Sequence, residues 1–162
     1  MNKERRIIGI DPGSLCTGYG IVNLLGNALT PAAWGVIRLG DKEPLPDRLF
    51  KIHTELSRLI EEHAPTEAAV EKVFLAKNAS SALKLGQARG AAILTCRMHG
   101  LSVHEYSAKE IKLAVTGYGA ASKEQVAGMV SRLLGLRITV PADASDALAM
   151  AFCRAVTREF PR

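Results

Sequence analysis

The sequence is poor in aromatic residues, at 5%, and holds only three cysteines among its 162 residues. Cys16, Cys96 and Cys153 are scattered, odd in number and match no ligand spacing. That excludes a disulfide framework or a cysteine-rich zinc site. They read instead as buried thiols in a reducing compartment, which places the chain in the cytoplasm. Long apolar runs are also missing. The longest, Ala147–Cys153, has seven residues, where a membrane-spanning helix needs about 20. Basic Lys3, Arg5 and Arg6 are followed by only Ile7-Ile8-Gly9-Ile10 before Asp11. That is no secretion-signal core, so neither export nor membrane association is expected. There is no internal repeat and no low-complexity tract, and Pro44-Leu45-Pro46 is the one proline cluster. Apolar residues at 48% and charged residues at 23% are ordinary globular usage and exclude disorder. One domain over residues 1–162 is expected.

Charge is present but uneven. The net charge is +5. Residues 1–71 carry 8 Lys/Arg against 10 Asp/Glu, and residues 72–137 carry 10 against 3. A basic middle flanked by the remaining acids suits a polyanionic partner, and equally a solvated lysine-rich surface.

The chain punctuates itself clearly. Ile7-Ile8-Gly9-Ile10 predicts a strand that ends in the turn Asp11-Pro12-Gly13-Ser14. Tyr19–Leu24 and Ala33–Leu39 predict two more strands, joined by hairpin chemistry at Gly26-Asn27. Leu49, Ile52, Leu56, Leu59 and Ile60 fall on one face of a helix over about 46–63. Ala68–Glu71 and Ser102–Tyr106 predict short strands, separated by a helix over Leu83–Met98 that stops at Gly100. Ser107-Ala108-Lys109-Glu110 and Ser122-Lys123-Glu124-Gln125 are capping boxes that open two further helices. A last helix opens at Asp143 and runs to about Arg158. A meander followed by alternating strands and helices predicts an α/β fold, a five-stranded mixed sheet with helices on both faces.

Four acids sit where acids are out of place. Asp11 and Glu71 each end an apolar strand, and Asp143 and Asp146 stand three apart at the start of an apolar helix, on one face of it. Each has a plainer duty available. Asp11 suits a turn, Asp143 an N-cap and Asp146 the first turn of a helix; Glu71 has the weakest such alternative. Taken together they suggest a site at the carboxyl ends of the strands. Four carboxylates on one apolar rim repel, and divalent cations remove the conflict. Oxygen ligands without Cys or His favour Mg²⁺ or Mn²⁺ over Zn²⁺. Two such ions can serve phosphodiester hydrolysis, with a basic surface nearby for the polyanion.

Four blocks then carry a family resemblance. They are Ile8-Gly9-Ile10-Asp11-Pro12-Gly13-Ser14 with Thr17-Gly18-Tyr19-Gly20, Glu71-Lys72-Val73-Phe74 with Ala76-Lys77-Asn78-Ala79, Ser81–Gly90, and Ala142–Ala149. In this order they resemble RuvC-type Holliday-junction resolvases from about residue 6 to 156. The resemblance implies a ribonuclease-H-like fold, a homodimer, and cutting of four-way DNA junctions with two Mg²⁺ per site, Mn²⁺ substituting. It implies Asp11, Glu71, Asp143 and Asp146 as catalytic, metal-binding acids. It also implies Phe74 as an aromatic set against unstacked bases, with Lys112 and Lys123 holding phosphates. Lys77, Asn78, Lys84 and Arg89 are further DNA-binding candidates. RuvA–RuvB branch-migration proteins are the implied partners; the chain has no long basic tail after its last acid, so contact through one is not expected. Gly86 and Gly90, one turn apart in a helix, suggest close helix approach, either within the chain or across a dimer. The rival readings are a ribonuclease-H-type enzyme on RNA–DNA hybrids, a catalytically inactive junction-binding protein, and a sugar-kinase-type phosphotransferase, for which the chain has no room.

Overall fold

The computed structural model describes residues 4–72 and 78–157. Its elements run β1 (Arg5–Asp11), β2 (Cys16–Leu25), β3 (Ala28–Arg38), α1 (Leu45–His63), β4 (Glu67–Glu71), α2 (Ala79–Met98), β5 (Ser102–Tyr106), α3 (Ala108–Thr116), α4 (Lys123–Leu133) and α5 (Ala142–Val156). The sheet order is β3-β2-β1-β4-β5. The first three strands pair antiparallel, and β1–β4 and β4–β5 pair parallel. This is the expected meander and mixed sheet. Gly26 makes the tight hairpin in the left-handed region, at φ 62°, with Leu25 facing Ala28 across it.

Strand alternation divides the core in two. Ile8, Ile10, Ile21, Ala68 and Val70 face α1 and α2. Ile7, Val22, Ala69 and Tyr106 face α3, α4 and α5. Both faces of the central strands are buried, which is why β1 and β4 read as nearly continuous apolar runs.

Helix α5 lies on bare backbone. Gly9 pairs with Gly20, and Asp11 with Gly18, across β1 and β2. A Cβ on Gly9 would stand 1.8 Å from the Ala147 carbonyl oxygen, and one on Gly18 2.1 Å from that of Asp143. Ordinary contact begins near 3.4 Å. So the glycines of the first motif let a helix approach the sheet that no side chain would allow. The far end of α5 is tied down as well. Glu67, at the foot of β4, accepts from Arg5 Nε at 2.7 Å and from the buried Arg154 of α5. Burial would raise the Glu67 carboxyl, but these two arginine bonds outweigh it and hold it below the usual range.

Three expectations need correction. Helix α2 starts at Ala79, because the Asn78 side chain caps the Ser80 and Ser81 amides and brings four more residues into the helix. Helix α5 starts at Ala142 after Pro141, with no side-chain cap, so Asp143 lies in the first turn and caps nothing. Among the described residues nothing approaches Gly86 or Gly90, a Cβ at either meeting no atom within 4 Å, so close approach within the chain is not what they serve.

Candidate active site

Asp11 and Glu71 end the two central parallel strands, one position beyond the paired residues Ile10 and Val70. Parallel neighbours deliver both carboxylates to one edge of the sheet. Asp11 shares its face with Gly9, so it emerges beneath α5. Asp143 and Asp146, three apart, form the wall above. All four are partly buried.

Electrostatics follows from this placement. Burial, then the charges of Asp146, Asp143 and Glu71, push the Asp11 carboxyl up to about 7, while Lys123 pulls the other way. Burial and Asp146 likewise raise Glu71, against Lys123 and Lys112. Lys123, the first residue of α4, places Nζ 3.4 Å from Asp146 Oδ2. Its own pKa is raised, chiefly by that carboxylate. Lys112, Lys123, Glu71 and Asp146 line one cavity of about 180 Å³, floored by Ala149 and Met150. Both lysines therefore stand at the acids.

The donor set fits hard divalent cations. It consists of carboxylate oxygens, and their repulsion is what a cation relieves. Among the described residues no three acidic, histidine or cysteine side chains stand close enough to enclose an ion as placed.

Other expected contacts divide. Lys84 is exposed on α2. Asn78 gives its amide oxygen to the helix cap. Arg89 is engaged within the chain: it donates from Nε to the Glu71 carbonyl oxygen at 3.1 Å and pairs through Nη2 with Glu105. Phe74 and Lys77 lie outside the described residues. Cys96 and Cys153 are buried as expected, but Cys16 is only half-buried and sits in the site, its thiol donating to Asp143 Oδ2 at 3.2 Å. Burial and this hydrogen bond push the thiol up to about 11. No sequence signal marks that contact, which spans 127 positions.

Comparison with known proteins identifies the family. The family described as "Crossover junction endodeoxyribonuclease RuvC" matches residues 7–154. The Geobacter sulfurreducens protein of that name is 55% identical over 150 residues, covering 93% of this chain and 92% of the relative. The one from Acinetobacter baumannii is 56% identical over 149 residues, covering 92% and 82%. The structure titled "T. thermophilus RuvC in complex with Holliday junction substrate" is 33% identical with a TM-score of 0.88, covering 93% of each chain.

Proposed function

The chain belongs to the RuvC family of crossover junction endodeoxyribonucleases, and on that premise we propose that Asp11, Glu71, Asp143 and Asp146 are its catalytic acids and hold two Mg²⁺ ions. The protein is a nuclease that hydrolyses phosphodiesters in four-way DNA junctions. The family's dependence on a metal is general; the identity and number of the ions rest on the donor set of this chain. The observation that carries the reading is four partly buried carboxylates on one rim, with Asp11 held near 7 by burial and its neighbours.

When bound, the ions supply an activated water and neutralise charge on the scissile phosphate. Asp11 and Glu71 hold the floor of the site from rigid strand ends, and Asp143 and Asp146 hold the wall from α5. Lys123 and Lys112 stand where they can take a phosphate oxygen. Mn²⁺ shares the ligand preference and substitutes. The reading gives a 5′ phosphate and a 3′ hydroxyl. Phe74 and Lys77 follow Glu71 within six residues and, with Asn78 and Lys84, are the further residues assigned to the junction. The protein works in the cytoplasm, with RuvA–RuvB as the branch-migration partner.

A homodimer completes this reading. Leu83, Gly90, Leu94 and Met98 run down one face of α2, and the three large side chains are 63%, 61% and 66% exposed. A Cβ on Gly86 or Gly90 beside them would meet nothing within 4 Å among the described residues. Two glycines inside a helix cost about 1 kcal/mol each, and a second copy of α2 laid against this face is what uses them. A two-fold dimer matches the symmetry of a four-way junction and gives paired cuts. Gly90→Ala is therefore expected to stabilise the helix by about 1 kcal/mol yet weaken dimerisation. Sedimentation and thermal melting of the same samples check this; a variant that dimerises like the wild type removes α2 from the interface.

The test of the whole reading uses a labelled junction with a mobile homologous core, a linear duplex of the same sequence, and an RNA–DNA hybrid. Symmetric paired cuts in the junction alone, with Mg²⁺ or Mn²⁺ and lost in Asp143→Asn, are expected. Preferential cutting of the hybrid would instead assign a ribonuclease-H activity. Binding without cutting would leave a junction-binding protein.

A further inference from the structure

We propose that Arg48 and Arg89 are positioning residues that clamp the main chain beside two of the catalytic acids from the opposite layer of the fold, leaving the acids' carboxylates free for metal. The proposal rests on the assignment of Asp11 and Glu71 above.

Arg48 lies in the second turn of α1. Its Nε donates to the Glu43 carbonyl at 2.7 Å, its Nη2 to that of Asp41 at 2.7 Å, and its Nη1 to that of Ser14 at 3.2 Å. One guanidinium fork thus joins the loop after β3 to the loop that follows Asp11. A second tie reinforces the joint, the Leu39 amide donating to the Leu15 carbonyl at 3.0 Å. The next residue, Cys16, is the one whose thiol bonds Asp143. So the stretch from Asp11 to Cys16 is held on its outer side by Arg48 and Leu39, and touches the site at both ends.

Arg89 does the same for the other strand. It reaches from α2 to the Glu71 carbonyl, with Glu105 fixing its guanidinium. On the other side of Glu71, the Lys72 amide donates to the Tyr106 carbonyl at 2.8 Å. Helices α1 and α2 cover the face of the sheet away from α5, so both arginines come over its edge from behind.

The choice of acceptor matters. An arginine bound to a carboxylate occupies the oxygens a cation needs and cancels the charge that attracts it. Neither Arg48 nor Arg89 bonds one of the four carboxylates. Arg48 fixes the backbone through three carbonyls, and Arg89 through the Glu71 carbonyl with Glu105 as its anchor, both without that competition; lysine, a point donor, cannot span either set of partners. Displacement of a catalytic group by about 1 Å can cost 10²-fold in rate.

The experiment compares Arg48→Gln, Arg48→Lys, Arg89→Gln and Arg89→Lys in the full chain. Single-turnover junction cutting at saturating protein is expected to fall about tenfold or more in all four. Lysine should not rescue, because geometry and not charge is lost. Junction affinity and its salt dependence, measured without a catalytic metal, should match the wild type. Amide hydrogen exchange of the DNA-free protein should quicken at residues 14–16 in the Arg48 variants and near residue 72 in the Arg89 variants, with β1 unchanged. If affinity falls, the salt slope drops by about one, and the saturated rate holds, the arginines are phosphate ligands and the proposal fails. Unchanged exchange or an unchanged saturated rate overturns it equally. A wild type that cuts no junction would overturn the nuclease reading itself, while the exchange comparison still decides the clamps.

Discussion

Asp11→Asn is expected to lower junction cutting on the order of 10³-fold while making the metal-free protein more stable at pH 8. Both effects have one cause. Asp11 sits among Asp146, Asp143 and Glu71 in a partly buried site, and its carboxyl is pushed up to about 7. In the unfolded chain the same group ionises near pH 4. Between those values the folded protein keeps a proton that the unfolded protein has released. Stability from this group is therefore fully present below about pH 4, falls as pH rises, and is lost above about pH 7, by an amount of order 2–4 kcal/mol. Asparagine keeps the shape and removes the charge. Urea unfolding with a chelator present should show the variant well ahead at pH 8 and the gap shrinking to about 1 kcal/mol or less by pH 4.5. Mg²⁺ should close the gap by stabilising the wild type, since it binds the folded site alone. A variant less stable than the wild type at pH 8 would mean that the carboxylates do not repel as described. Undiminished cutting would remove Asp11 from the metal site.

Gly9→Ala is expected to cost about 3 kcal/mol or more and, in whatever folds, to depress cutting about 10²-fold. The added methyl would meet the Ala147 carbonyl at 1.8 Å and the Ala151 amide at 2.8 Å, both main-chain atoms of α5. Neither can rotate away, so the helix must lift, and Asp143 and Asp146 lift with it. Gly18→Ala should act similarly, its methyl 2.1 Å from the Asp143 carbonyl. Gly90→Ala is the control for stability alone, its Cβ meeting no described atom within 4 Å. Chemical denaturation midpoints would compare all three, and single-turnover rates on one junction the first two. Equal stability of Gly9→Ala and Gly90→Ala would show that α5 does not pack as closely as described.

These two variants also mark how legible the site was. The four acids stood out because a carboxylate at the end of an apolar strand, or on an apolar helix, has no solvent to face; burial conflict is written in one dimension. Strand order near the amino terminus was legible for a similar reason, since Gly26-Asn27 fixes a hairpin locally. The start of α2 was misjudged because its cap, Asn78, precedes the weakly patterned turn Ala79-Ser80-Ser81-Ala82. Gly86 and Gly90 could be seen as unusual, but whether a neighbour filled their space depended on packing that no spacing reveals.

The sequence by itself determined the order of the elements and marked the four carboxylates that stand out of place. Each of these follows from residue type or from contacts a few positions apart. Only the tertiary structure decided which groups hold those acids in place. Arg48 reaches Ser14 across 34 positions, Arg89 reaches Glu71 across 18, and Cys16 reaches Asp143 across 127. An arginine on a carbonyl looks, in sequence, like any arginine on a helix, because the acceptor is main chain and has no residue type to read. That is why Arg89 read as a phosphate contact until the fold brought it to the back of Glu71.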